Sequence, residues 1–235
     1  MRPLDLKLAR MKRGWRQVEA ARRLGVSQPY LAMLEEGKRR LTADMTRKAA
    51  LVYGMPLAAL PLSNAFTPAK GVSAQHFVEL LSGLGYPGFA YVRPLVRKRN
   101  PAEVLLTALA QDRLEARVAE GLPWLLLHHW QMNSGWLVGQ AKRFDLQNRL
   151  GFVAALARRL SQATAQPDRT EALSRLETTL DHSRLAREDY FFRPPRNPAE
   201  RKWLSQHRSR EARHWNLLSD LRPEHLNYAD LCQRI

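Results

Sequence analysis

The sequence predicts an all-α protein in two unequal parts. A small helical domain occupies residues 1–62, a larger multi-helix domain 73–235, and a linker 63–72. Three observations predict this. Apolar residues recur at helical spacing along most of the chain, as at Leu146, Leu150, Val153, Leu156 and Leu160. The one stretch of strand-like composition, residues 89–96, contains Pro94, which cannot donate to a sheet ladder, so at best it is a short edge strand or loop. Between the two parts, Pro61, Ser63, Asn64, Pro68 and Gly71 fall together with little periodic pattern.

Taken in order, Leu4, Leu8 and Met11 lie at helical spacing and give a first helix, with Lys7, Arg10, Lys12 and Arg13 on its polar side and Gly14 at its end. The chain is organised around residues 17–40, QVEAARRLGVSQPYLAMLEEGKRR. This stretch reads as two short helices joined by a tight turn at Leu24, Gly25, Val26 and Ser27. Gly25 takes the left-handed backbone that ends a helix without a Cβ clash, and Ser27 caps the next helix by accepting a backbone N–H. Ala20 and Ala21 are small enough for the helices to cross closely. Leu31 and Leu34 face the core, and Val26 seals the corner. Gln28, Pro29, Ala32 and Met33 then face outward at the start of the second helix. With basic neighbours, such a helix fits the major groove of DNA. Lys38, Arg39 and Arg40 follow it, placed for the flanking phosphates. Thr42 and Asp44 cap a fourth helix that buries Met45, Ala49 and Val52. Gly54 stops it, and residues 56–60 form a last short helix.

In these residues the chain resembles the Cro/C1 (Xre) helix-turn-helix family. Gln17, Ala21, Gly25, Val26, Ser27, Leu31, Leu34, Glu35, Gly37 and Lys38 stand where that family has its signature residues, without a gap, over about residues 4–60. The resemblance implies a five-helix, all-α DNA-binding domain of the kind found in phage repressors and bacterial regulators. It implies that Gln17 bonds a phosphate and braces Gln28, that Gln28 reads an adenine edge, and that position 33 is a second reader. Met33 suits a thymine methyl better than a hydrogen bond. Pro29 departs from the usual polar residue; it fits a first helical turn but cannot read a base by hydrogen bonding. The base-reading set is therefore Gln28, Pro29, Ala32 and Met33. The phosphate set is Arg16, Gln17, Ser27, Tyr30, Lys38, Arg39 and Arg40.

Charge agrees with this placement. The chain of 235 residues carries a formal net charge of +16; residues 1–62 hold 13 Lys/Arg against 5 Asp/Glu, and the other 173 hold 25 against 17. The excess is densest where a phosphate-binding surface is required. A single cysteine, Cys232, excludes an intrachain disulfide or a thiolate zinc site. The N-terminus lacks the apolar core of a signal peptide, and no apolar run is long enough to span a membrane, so a cytoplasmic, nucleoid-associated protein is expected.

The larger part is less informative about function. Ser73 caps a helix to about residue 84 with Phe77, Leu80, Leu81 and Leu84 on one face, and residues 85–88 break it. Asn100 and Pro101 open a helical region to about 121, with Val104, Leu105, Ala108, Leu109, Leu114 and Val118 buried. Pro123 starts an apolar helix at 124–130, expected to be central. Residues 136–139 link to an amphipathic helix over 141–160, and a further helix runs 170–180. Residues 190–195 are extended and pinned by aromatics, a helix runs from 197 to as far as 218, and a short last helix reaches Cys232.

No metal or cofactor is expected: His128 and His129 are adjacent, His207 and His214 are two turns apart, and no His pair has the spacing of a helical zinc site. Arg201 with His207 and Arg208 with His214 resemble the Arg–His motif of an all-helical RNase family. The residue after each arginine, Lys202 or Ser209, departs from that pattern, so no catalytic residue is assigned and the chain is expected not to be an enzyme. The expected function is that of a sequence-specific regulator of double-stranded DNA, a repressor acting as a homodimer on a near-palindromic operator. The alternative is an antitoxin-like regulator whose helical domain sequesters a co-encoded toxin or other protein partner while the N-terminal domain autorepresses the operon.

Overall fold

The computed structural model describes residues 3–63, 65–96 and 98–226. Two units separate, Met1–Asn64 and Ala65–Ile235. Among the described residues there are twelve α-helices and one pair of two-residue strands.

In the first unit α1 (Pro3–Lys12), α2 (Gln17–Leu24), α3 (Gln28–Glu35) and α4 (Ala43–Val52) enclose Leu6, Ala20, Ala21, Leu24, Leu31, Leu34, Ala49 and Tyr53. The expected fifth helix is a single 3₁₀ turn, Leu57–Ala59. Thr42 caps α4 by accepting the Met45 N–H at 3.2 Å. The inward face of α1 differs from the apolar stripe that announces the helix. Leu4, Leu8 and Met11 are 57%, 54% and 57% exposed, whereas Leu6 is fully buried and Ala9 packs beside it. Periodicity identifies a helix; which face turns inward depends on what it meets, and Arg10 on the Leu6 side meets a buried carboxylate.

The second unit comprises α5 (Ala74–Gly83), α6 (Pro101–Leu109), α7 (Ala116–His128), α8 (Ser134–Arg143), α9 (Gln147–Ala163), α10 (Pro167–Asp181), α11 (Pro198–His207) and α12 (Arg210–His214). Strands β1 (Asp189–Tyr190) and β2 (Leu217–Leu218) pair in parallel, with Asp189 opposite Leu217. The centre is α9, buried on nearly all sides and packed against α7 and α10. It was expected as an amphipathic helix over 141–160; in fact Asp145, at φ 57°, divides it from α8. Residues 136–139, read as a link, lie inside α8, which Asn133 caps through the Trp136 N–H at 2.9 Å. Pro123 lies inside α7 instead of starting it.

Three other boundaries follow from bonds between groups apart along the chain. Residues 65–72, placed in the expected linker, are held to the second unit. Phe66 is buried edge-on against Trp136, and Gln111 accepts from the Val72 N–H and donates to the Ala69 carbonyl. Residues 110–115 interrupt the helical region expected over 101–121. Arg149 of α9 donates to the Leu109 and Gln111 carbonyls and pairs with Asp189 of β1 at 2.8 and 2.9 Å. The helix expected from 197 to 218 is broken at Ser209, whose N–H bonds the Ser219 carbonyl and whose hydroxyl caps α12. The final segment enters a 3₁₀ turn, Pro223–His225; Cys232 lies outside the described residues.

Candidate nucleic-acid interface

The turn between α2 and α3 forms as its residues dictate. Gly25 sits at φ 62° and ψ 39°, and its N–H reaches back to the Ala21 and Arg22 carbonyls. Val26 donates to Ala21 at 3.0 Å. Ser27 is extended and accepts the Tyr30 N–H, which starts α3, with Pro29 in its first turn, where a missing N–H costs nothing. Leu31 and Leu34 are fully buried beneath. This geometry holds the first turn of α3 at the surface: Pro29 is exposed, and Gln28, Ala32 and Met33 are half-buried.

Four polar side chains connect beneath that turn. Arg10 donates two hydrogen bonds to Glu35, at 2.7 and 3.0 Å, and one to the Trp15 carbonyl at 2.8 Å. Gln17 donates to the same carboxylate at 2.9 Å. Gln28 donates to the Gln17 carbonyl oxygen at 2.9 Å. The Glu35 side chain is 1% exposed, so its charge depends on these partners. Hydrogen bonding to Glu35 raises the Arg10 pKa against the opposing effect of burial. The Tyr53 phenol is pushed up to about 12, first by burial and then by the nearby Glu35 carboxylate. Gln17 is thus held by a buried charge, and it fixes the Gln28 amide. One Gln28 N–H and its carbonyl oxygen remain, the donor–acceptor pair that an adenine edge requires.

The cationic residues lie around this frame in different states. Arg16 precedes α2 and is exposed. Lys38 pairs with Glu36 at 2.7 Å, and both are exposed. Arg39 and Arg40 are exposed, with the Arg39 N–H bonded to the Met33 carbonyl at 3.1 Å. Tyr30 is half-buried against the core. The sequence pattern gives no site role to Arg10 and Glu35, which hold Gln17 and, through it, Gln28 from below. Glu35 was visible as a signature position, but its pairing with a residue 25 positions away was not.

A family model described as Helix-turn-helix matches residues 6–60. Residues 6–60 are a Cro/C1-type helix-turn-helix domain. A DNA-binding transcription regulator is the functional class that goes with this helix-turn-helix domain. No family model matches the larger unit. No curated protein and no solved structure matches the chain. Among the described residues no helix is long and apolar enough to cross a membrane, and no group of three or more His, Cys, Asp or Glu could hold a metal ion.

Proposed function

We propose that the chain is a sequence-specific regulator that binds double-stranded DNA as a homodimer and represses transcription from a near-palindromic operator in the cytoplasm. The observation that carries this reading is the connected set Arg10, Glu35, Gln17 and Gln28. It preorganises one amide at the exposed start of α3 and leaves the hydrogen-bonding atoms for a base edge unpaired. Met33 and Ala32 offer apolar contact to a thymine methyl, and Pro29 shapes the first turn without reading a base by hydrogen bonding. Arg16, Gln17, Ser27, Tyr30, Lys38, Arg39 and Arg40 are the proposed phosphate contacts. Lys38 must exchange Glu36 for a phosphate, so Arg39 and Arg40 are the principal clamps. A single reading helix covers only a half-site, and two copies with helices ~34 Å apart read a symmetric operator.

The test is binding of the purified chain to the DNA upstream of its own gene and to a scrambled duplex, over a range of salt concentrations. The expected result is at least tenfold preference for the upstream DNA, with two chains per duplex in a solution mass measurement. Replacing Arg39 and Arg40 together by Ala weakens binding to both duplexes alike and reduces the salt slope by about 2. Equal affinity for both duplexes, with no effect of the double variant, overturns the reading.

A further inference from the structure

Two adjoining concavities in the second unit have Arg159, Gln162, Arg210 and Glu211 in common. The larger, of about 770 Å³, adds Leu160, Ala163, Arg222 and Pro223; the smaller, of about 330 Å³, adds Arg158, Glu177 and His214. Both are walled by the C-terminal half of α9 and by α12.

Four guanidinium groups face this groove, and they are held differently. Arg158 donates through Nε to Glu177 at 2.6 Å and through Nη1 to Gln162 at 3.3 Å. Arg159 donates through Nε to Glu211 at 3.1 Å. The two carboxylate side chains are only 18% and 12% exposed, so each arginine is held by a fixed, mostly buried partner. Pairing through Nε leaves Nη1 and Nη2 of Arg159, and Nη2 of Arg158, without a hydrogen-bond partner among the described residues. Arg210 and Arg222 are exposed and have no acidic partner among the described residues. Three carboxylates line the groove; two are engaged with Arg158 and Arg159, and the third, Glu224, is exposed.

Guanidinium forks match the spacing of phosphate oxygens and hold them bidentately. The larger concavity falls within the size range of small-ligand sites. Leu160, Ala163 and Pro223 add an apolar patch beside the charged wall. We propose that this groove binds a small phosphorylated molecule, its phosphates on Arg159, Arg210 and Arg222 and its remainder against Leu160, Ala163 and Pro223. The chemistry is that of binding without turnover. His214, at the groove's end, has both ring nitrogens engaged, Nε2 with Asp181 at 2.9 Å and Nδ1 with Arg184 at 3.3 Å.

The experiment titrates inorganic tripolyphosphate and ATP into the full chain by calorimetry at a fixed ionic strength near 0.15 M, where diffuse attraction to a basic surface is weakened. Three proteins are compared: the native chain, R210Q/R222Q, and R39A/R40A as a control for the basic surface of the other unit. Saturable, one-to-one binding of at least one probe is expected in the native chain and in R39A/R40A, and at least tenfold weaker in R210Q/R222Q. Circular dichroism checks that R210Q/R222Q is folded. The proposal is overturned if neither probe saturates, if R210Q/R222Q binds like the native chain, or if R39A/R40A alone abolishes binding. Because the readout involves no DNA, its failure leaves the operator-binding reading standing.

Discussion

The Gln28 amide on α3 donates to the Gln17 carbonyl oxygen on α2 at 2.9 Å, across the turn that joins the two helices. Gln17 is itself tied to Glu35, so Gln28 ends a chain of bonds that begins at Arg10. The half-buried amide is held before DNA arrives, and less side-chain entropy is lost when a base is bound.

On the proposed reading, replacing Gln28 by Ala removes a base contact and leaves the Arg10–Glu35–Gln17 frame intact. Affinity for the upstream DNA is expected to fall by about 1–3 kcal/mol, the range of one bidentate base contact, with affinity for scrambled DNA nearly unchanged. Gln17→Ala is expected to lose less of the preference, because Gln28 remains but is no longer held, and to weaken binding to both duplexes slightly, because Gln17 is itself a proposed phosphate contact. Fluorescence anisotropy on the two duplexes distinguishes these outcomes.

Glu35→Ala acts on stability. It leaves the Arg10 guanidinium, whose side chain is 11% exposed, without its charged partner. A loss of about 3 kcal/mol is expected, the magnitude for breaking a buried pair by removing one member. Hydrogen exchange should show lost protection over residues 3–63 and unchanged protection over 98–226. Uniform loss over both units would contradict the assignment.

Gly151 of α9 lies directly under the fully buried ring of Trp215, and a Cβ there would overlap the indole. Gly151→Ala is expected to cost about 2–3 kcal/mol by overpacking, even though alanine favours a helix. Denaturant unfolding of the second unit measures it. A stabilised variant would mean that Trp215 moves aside at little cost.

The second unit should weaken in acid. Burial, then the neighbouring His128, holds the His129 pKa down to about 4 in the folded chain, against an ordinary value of 6.5. His128 is lowered as well, mainly by burial. Between pH 6.5 and 4 the unfolded chain therefore binds more protons than the folded one. Stability is unaffected by His129 above 6.5 and falls as the pH drops through that window. A loss of about 2–3 kcal/mol by pH 4.5 is expected from His129. Urea midpoints at pH 7.5 and 4.5 test this: His129→Gln should flatten the dependence, and an unchanged dependence would assign the acid sensitivity elsewhere.

The second unit was partly legible in its sequence. Phe77, Leu80, Leu81 and Leu84 are buried as their spacing predicts. Pro123 misled because a proline inside a helix looks, in one dimension, like a helix start. The break at 110–115 has no local turn signal as strong as Gly25. It is set by Gln111 and Arg149, whose backbone partners include residues some 40 positions away. The unexpected central place of α9 has a similar origin: charged residues such as Arg149 gave it a polar side that the fold then buried.

By itself the sequence determined the helix-turn-helix and the residues set at its surface. Those features rest on short-range physics: a left-handed glycine, a hydroxyl cap three residues from its N–H, and apolar positions one helical turn apart. Only the tertiary structure decided which face of α1 turns inward, that Glu35 holds both Arg10 and Gln17, and that four arginines from α9, α12 and the chain beyond share one groove. Each of these joins groups far apart along the chain, and local periodicity carries no information about which distant partners will meet.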